Sequence, residues 1–260
     1  MLRIRILSAI IGAPILLLLL YLGRIPFGFL VILLSLIGMI EFYAPWPNKN
    51  TFPTPWIGII GGLSFPVLAL IGYTKFFGQV LVLLVLVSFL WQIFKTKRSR
   101  VGVDVGLTVL GAIYVGLFPS YLILLRDISH GWILVLLTIL AVWVCDIFSY
   151  LIGSLIGKRK LAPDISPNKT VAGGIAGFLG SVGLLTGVYF LPWFSLTERL
   201  LLGLLIGIFS QAGDLTASML KREVGIKDFG RIIPGHGGVL DRFDGLFFVA
   251  PIVFYYLRIY

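Results

Sequence analysis

About nine apolar runs, each roughly 17–25 residues long, divide this chain, and each can cross the hydrocarbon core of a bilayer as a helix. They lie near 4–22, 27–44, 55–73, 77–94, 103–125, 131–156, 172–193, 197–219 and 245–260. Lipid offers the backbone no hydrogen-bond partners, and a helix satisfies its own N–H and C=O groups. The predicted fold class is therefore all-α, a polytopic integral membrane helical bundle with about nine transmembrane helices. Composition agrees: charged residues make up 12%, about half the share in a soluble domain. Proline and glycine punctuate the joins, as in PWPNKNTFPTP at 45–55. The first run follows Arg3 and Arg5 and meets Arg24 without a small-residue cleavage motif, so it reads as a retained helix. Residues 1–130 form a set of N-terminal transmembrane helices. Residues 131–260 form a C-terminal transmembrane region that carries two polar loops and the candidate catalytic residues.

The basic residues set the orientation. With the amino terminus inside, 16 Lys and Arg fall on the inner side and 5 on the outer. The outer ones are Arg24, Lys75, Arg126, Arg199 and Arg258. That asymmetry follows the positive-inside rule and puts both polar loops in the cytoplasm. The net charge of +10 is explained by membrane-flanking cations and anionic membrane lipids, so no nucleic-acid partner is expected. A single Cys145 excludes an internal disulfide and a cysteine-built zinc site.

The first polar loop follows the sixth run. The inner part of that run carries Asp146, Ser149, Tyr150 and Gly153; the loop then holds KRKLAPDISPNKT and leads to the glycine-rich AGGIAG at 172–177. Ser166, Lys169 and Thr170 stand directly before that glycine-rich helix start, where backbone N–H groups favour phosphate. An ordinary helix start with close-packing glycines explains the same residues equally well. Asp146 is an acid on the cytoplasmic part of the sixth run, either a functional group or the partner of a nearby Lys. Glu41, in IEFYAPW, could equally be a structural partner, and Asp104 and Asp127 read as ordinary loop or helix-end charges.

The second loop is the stretch 218–244, SMLKREVGIKDFGRIIPGHGGVLDRFD. Ser195 and Glu198 form a capping box, so a helix starts there and runs through Arg222 for roughly 40 Å, beyond the hydrocarbon thickness. Asp214, Ser218 and Lys221 share one face of it. That face sets a carboxylate on the floor of a cavity and cations at its rim, which suits a hard metal and a polyphosphate. Asp241 and Asp244 can share a face of the last helix, and with Asp214 they supply the oxygen ligands Mg²⁺ prefers. The glycines of 235–238 let the backbone approach an anion. His236 reads as a hydrogen-bonding residue, since one His without a nearby Cys makes a poor zinc site.

From Ser218 to Asp244 these residues follow, without departure, the signature that they resemble: that of the phosphatidate cytidylyltransferases, or CDP-diacylglycerol synthases. Ser166-Pro167-Asn168-Lys169-Thr170 is similar to the family's second motif, with Asn168 where the family usually has Lys and Ala172 where it has Glu. The resemblance implies a reaction of CTP with phosphatidate that yields CDP-diacylglycerol and pyrophosphate with Mg²⁺, at the cytoplasmic face of the cell inner membrane. It implies catalytic roles for Asp214, Lys221 and Asp241. Asp214, Asp241, Asp244 and Asp146 would hold one or two cations. Ser166, Lys169, Thr170, Ser218, Arg222, Lys227, His236 and Arg242 would bind substrate. A membrane enzyme using CTP on another lipid acceptor is the nearest rival reading. A transporter would spread its charges through several spans, whereas here they gather in two loops, and no internal repeat is visible. Small-residue faces such as Gly173 to Gly183 could pack inside the bundle or between the protomers of a homodimer.

Overall fold

The computed structural model describes residues 2–95, 100–188, 193–232, 235 and 237–259, and the side chains among them from residue 10 to residue 258. Expectations placed on Lys97, Arg98, Pro234 and His236, and on the side chains of Arg3 and Arg5, lie outside what is described. The described residues are 81% helical. Among the described residues, five helical stretches are long and apolar enough to cross a membrane: Arg24–Lys49, Thr74–Phe94, Val101–Asp127, Gly131–Ile156 and Leu196–Val224. Three shorter apolar helices cover Ile10–Leu22, Pro55–Ile71 and Val171–Gly187. The chain is a multi-pass membrane protein. Among the described residues, a two-stranded hairpin accompanies the helices.

The chain forms two compact units, the first made of Met1–Trp132 with Glu223–Phe243. Its helices are α1 (Leu2–Leu22), α2 (Arg24–Tyr43), α3 (Pro55–Ile71), α4 (Phe77–Phe94), α5 (Val101–Ala112) and α6 (Phe118–Asp127). Phe27, Val31, Met39, Phe42, Phe65, Ala69, Ala112 and Ile123 are buried in it. Between α5 and α6 the helix widens to a π-turn at Ile113–Leu117. Pro119 has no N–H, and its ring would press on the Val115 carbonyl of a regular helix, so the wider turn relieves that strain. Gly116 lies in the same turn and faces the backbone of Gly62 on α3, where a side chain would not fit. Arg24 pairs with Asp127 at 3.0 Å and donates to the Ala69 carbonyl at 3.0 Å, joining α2, α6 and α3.

Near the other end of α2, the buried Tyr43 hydroxyl donates to the Thr108 carbonyl at 2.6 Å. Tyr43→Phe leaves that carbonyl without its partner and is expected to cost about 1–3 kcal/mol. A lower unfolding midpoint of the purified protein in detergent would register it.

The second unit is Ile133–Arg222 with Asp244–Tyr260. It contains most of α7 (Gly131–Ile156), strands β1 (Lys160–Ala162) and β2 (Ser166–Thr170), α8 (Val171–Gly187), and much of α9 (Leu196–Val224) and α10 (Leu240–Ile259). β1 and β2 pair antiparallel, with Lys160 opposite Thr170 and Ala162 opposite Ser166. α9 begins at the predicted capping box: the Ser195 N–H donates to Glu198 Oε2 at 2.7 Å and the Glu198 N–H to Ser195 Oγ at 3.2 Å. The helices of this unit approach through glycine. A Cβ on Gly173 would lie 2.5 Å from the Ser149 carbonyl of α7, one on Gly203 2.7 Å from Val182 Cα of α8, and one on Gly213 3.0 Å from Gly245 Cα of α10. Small residues allow such approach, and helices in lipid associate by close packing. Gly173, Gly177 and Gly180 therefore pack against α7 inside this unit, while Gly183 faces open space.

Candidate active site

In the second unit, β2 ends by aiming Lys169 at α9. Its Nζ lies 2.6 Å from Asp214 Oδ2. Ser218, one turn on, donates its hydroxyl to Asp214 Oδ1 at 3.4 Å. Asp244, in the first turns of α10, is buried, and Gly245 N–H donates to its Oδ1 at 2.7 Å. The charges near enough to act on the Asp244 carboxylate are Asp214, then Lys221 and Asp146. Asp214, Ser218 and Lys221 thus present one face of α9, Lys169 pairs with it, and Asp244 and Asp146 lie within electrostatic range. Two carboxylates at close range repel, and Lys169 and Lys221 offset that repulsion. Arg222 Nε donates to the Ile165 carbonyl at 3.1 Å and ties the hairpin to α9.

Thr170 has a local task. Its Oγ1 accepts the Gly173 N–H at 3.1 Å and caps α8. Gly173 and Gly177, after it, pack against the backbone of α7. Ser166 opens β2 and is half-buried.

The first unit holds Glu223–Phe243 of the signature stretch. Asp241 Oδ2 accepts the N–H groups of Phe229 at 2.8 Å and Gly238 at 3.0 Å. Glu41, from the last turn of α2, accepts Val239 N–H at 3.1 Å and Leu240 N–H at 2.9 Å. Gly225, Gly235 and Gly237 have φ of +78°, +76° and +89°, backbone that favours glycine. Of the glycines of 235–238, Gly238 gives its N–H to the protein's own Asp241 carboxylate. Lys227 and Arg242 are exposed. His236 lies outside the described residues.

Sequence reasoning left Glu41 open as a structural partner and did not find this clamp. The available signal was an acid in an apolar run, but its partners lie 198 and 199 residues away.

Among the described residues, no three of His, Cys, Asp and Glu gather closely enough to hold a metal by themselves. Mg²⁺ does not need three: one or two carboxylates suffice when phosphates and water complete the octahedron. Asp214 with the buried Asp244 is such an oxygen pair, so the residues fit the ion.

Sequence comparison adds the family. The sequence model of the cytidylyltransferase family matches residues 3–260, and the chain belongs to that family. It is similar to the phosphatidate cytidylyltransferase of Synechocystis sp., 34% identical over an alignment of 286 positions, gaps included, that covers 97% of this chain and 95% of that one. The phosphatidate cytidylyltransferase of Bacillus subtilis is 33% identical over 98% of this chain and 97% of its own. That of Staphylococcus aureus is 33% identical over 96% of this chain and 97% of its own.

Proposed function

We infer that the chain transfers a cytidylyl group from CTP to phosphatidate, giving CDP-diacylglycerol and pyrophosphate for phospholipid synthesis, with its polar loops at the cytoplasmic face of the inner membrane. Membership of the cytidylyltransferase family over residues 3–260 carries this reading. A phosphatidate phosphate oxygen attacks the α-phosphorus of CTP. The bond from that phosphorus to the oxygen bridging to the β-phosphate breaks, and pyrophosphate leaves with the bond electrons. Both reactants are polyanions, so charge neutralisation and in-line positioning matter more than proton transfer. The attacking phosphate is already ionised at neutral pH and needs no strong base.

Lys169 and Lys221 supply cations where Asp214 and Asp244 supply oxygen ligands. Arg222, Lys227, Arg242 and His236 are the further substrate-binding groups of this proposal, with Ser166, Thr170 and Ser218 as hydroxyl donors beside them. Asp214 and Asp244, joined in the sequence-based proposal by Asp241 and Asp146, would hold Mg²⁺. When bound, Mg²⁺ neutralises phosphate charge and orients the triphosphate. Substrate phosphates compete for Lys169, whose pair with Asp214 is partly exposed, at 24% and 36% side-chain accessibility.

The test is pyrophosphate release by the detergent-purified protein. Release is expected only when CTP, phosphatidate and Mg²⁺ are all present, and EDTA should abolish it. Release from CTP without lipid would make the protein a CTP hydrolase and overturn the reading. Release only with a different lipid acceptor would keep the chemistry and replace phosphatidate.

A further inference from the structure

Glu41 sits in the last turn of α2 at 4% exposure, in a segment to which the reaction assigns nothing. A buried carboxylate persists only where its lone pairs are satisfied. Each Glu41 oxygen takes one backbone N–H, Oε1 from Val239 and Oε2 from Leu240. Those donors belong to the start of α10, where the first N–H groups of a helix have no partner within it. A local cap would come from the residue just before the helix, but that residue is Val239, whose side chain accepts nothing. Glu41 therefore stands in for the missing cap, and its charge suits the positive end of the helix dipole.

The surroundings are built to this carboxylate. A side chain at Gly230 or Gly238 would overlap Glu41 itself. The ring of Phe42, next to Glu41, stacks on Phe229 at 6.3 Å between centroids and 26° between planes. Phe229 in turn donates its N–H to Asp241. One turn of α2 thus grips both ends of the loop that runs from Phe229 to Asp241.

We propose that Glu41 is a positioning residue for the transfer reaction: it fixes the first turn of α10 and, through it, the side chains of Asp241 and Arg242. The proposal rests on the function argued above. A Gln at this position keeps the shape but turns one acceptor into a donor facing an N–H. Glu41→Gln should lower kcat at least about tenfold, with KM for CTP within about threefold of wild type. Asp127→Asn is the control. It breaks the pair with Arg24 about 25 Å along α2 from Glu41 and should lower the unfolding midpoint without changing kcat per folded molecule. Backbone amide exchange over 229–245, measured without substrate, should speed up in Glu41→Gln and stay at the wild-type rate in Asp127→Asn.

If Glu41→Gln loses turnover only as much as it loses folded protein, or keeps wild-type exchange over 229–245, the proposal fails. If Glu41→Gln does not accumulate folded, Glu41→Asp replaces it, keeping the charge and shortening the reach by one methylene. A wild-type protein without turnover on CTP and phosphatidate would instead overturn the function, and the exchange rates would still decide the clamp.

Discussion

Replacing Asp214 with Asn is expected to lower kcat by about a thousandfold or more, since a group holding a cation at the reacting phosphates supplies several kcal/mol, at tenfold per 1.4 kcal/mol. Asn keeps the size and one oxygen of Asp, so the Ser218 contact has a partner still. What disappears is the charge that faces Lys169 at 2.6 Å and shares its surroundings with Asp244. Two accounts of Asp214 diverge here. If it serves only to pair with Lys169, then Asp214→Asn and Lys169→Gln break the same interaction and should cost the same. If it holds a cation, Asp214→Asn should be much the worse. Lys169→Gln would then remove one phosphate contact, for a loss of about 10²-fold. Pyrophosphate release at saturating CTP and phosphatidate, with folded protein verified by its unfolding midpoint, separates them. Equal losses would remove Asp214 from the metal proposal. A fully active Asp214→Asn would remove it from the site.

Much of the second unit was legible because its cues are local. The reciprocal bonds of Ser195 and Glu198 lie three residues apart, and their types alone marked the start of α9. The same helical period put Asp214, Ser218 and Lys221 on one face, and the Lys169–Asp214 pair then gave that face a partner. The hairpin of residues 160–170 was not legible. Strands of three and five residues are too short to display an alternating period, and the polar residues there read equally well as a loop. The role of Thr170 was undecided for a related reason: a hydroxyl before glycines serves a phosphate or a helix cap with the same sequence. Glu41 is the opposite case. An acid in an apolar run announces some role, but no pattern along the chain says which N–H groups, some two hundred residues on, it will take.

The glycine-rich start of α8 carries the second large effect, and it is structural before it is chemical. A Cβ on Gly173 would lie 2.5 Å from the Ser149 carbonyl and 3.1 Å from Gly153 Cα. Both neighbours are backbone of α7, so no rotamer change can relieve the overlap. The helices must separate, and overpacking of this kind costs about 1–3 kcal/mol or more. The Gly173 N–H also donates to Thr170 Oγ1 at 3.1 Å. A shift of Gly173 therefore loosens the Thr170 cap and displaces the residue before Thr170, Lys169, from its place 2.6 Å from Asp214. Gly173→Val should lower the unfolding midpoint and reduce turnover of the remaining folded protein by about tenfold or more, as misplacement of about 1 Å does at a positioned site. Gly183→Val meets open space on the same helix and should leave both readings near wild type. A Gly173→Val protein that melts early but turns over normally would mean that Lys169 is held by its own strand, not by the α7–α8 contact. Small, equal effects at the two glycines would mean that backbone approach does not hold these helices together.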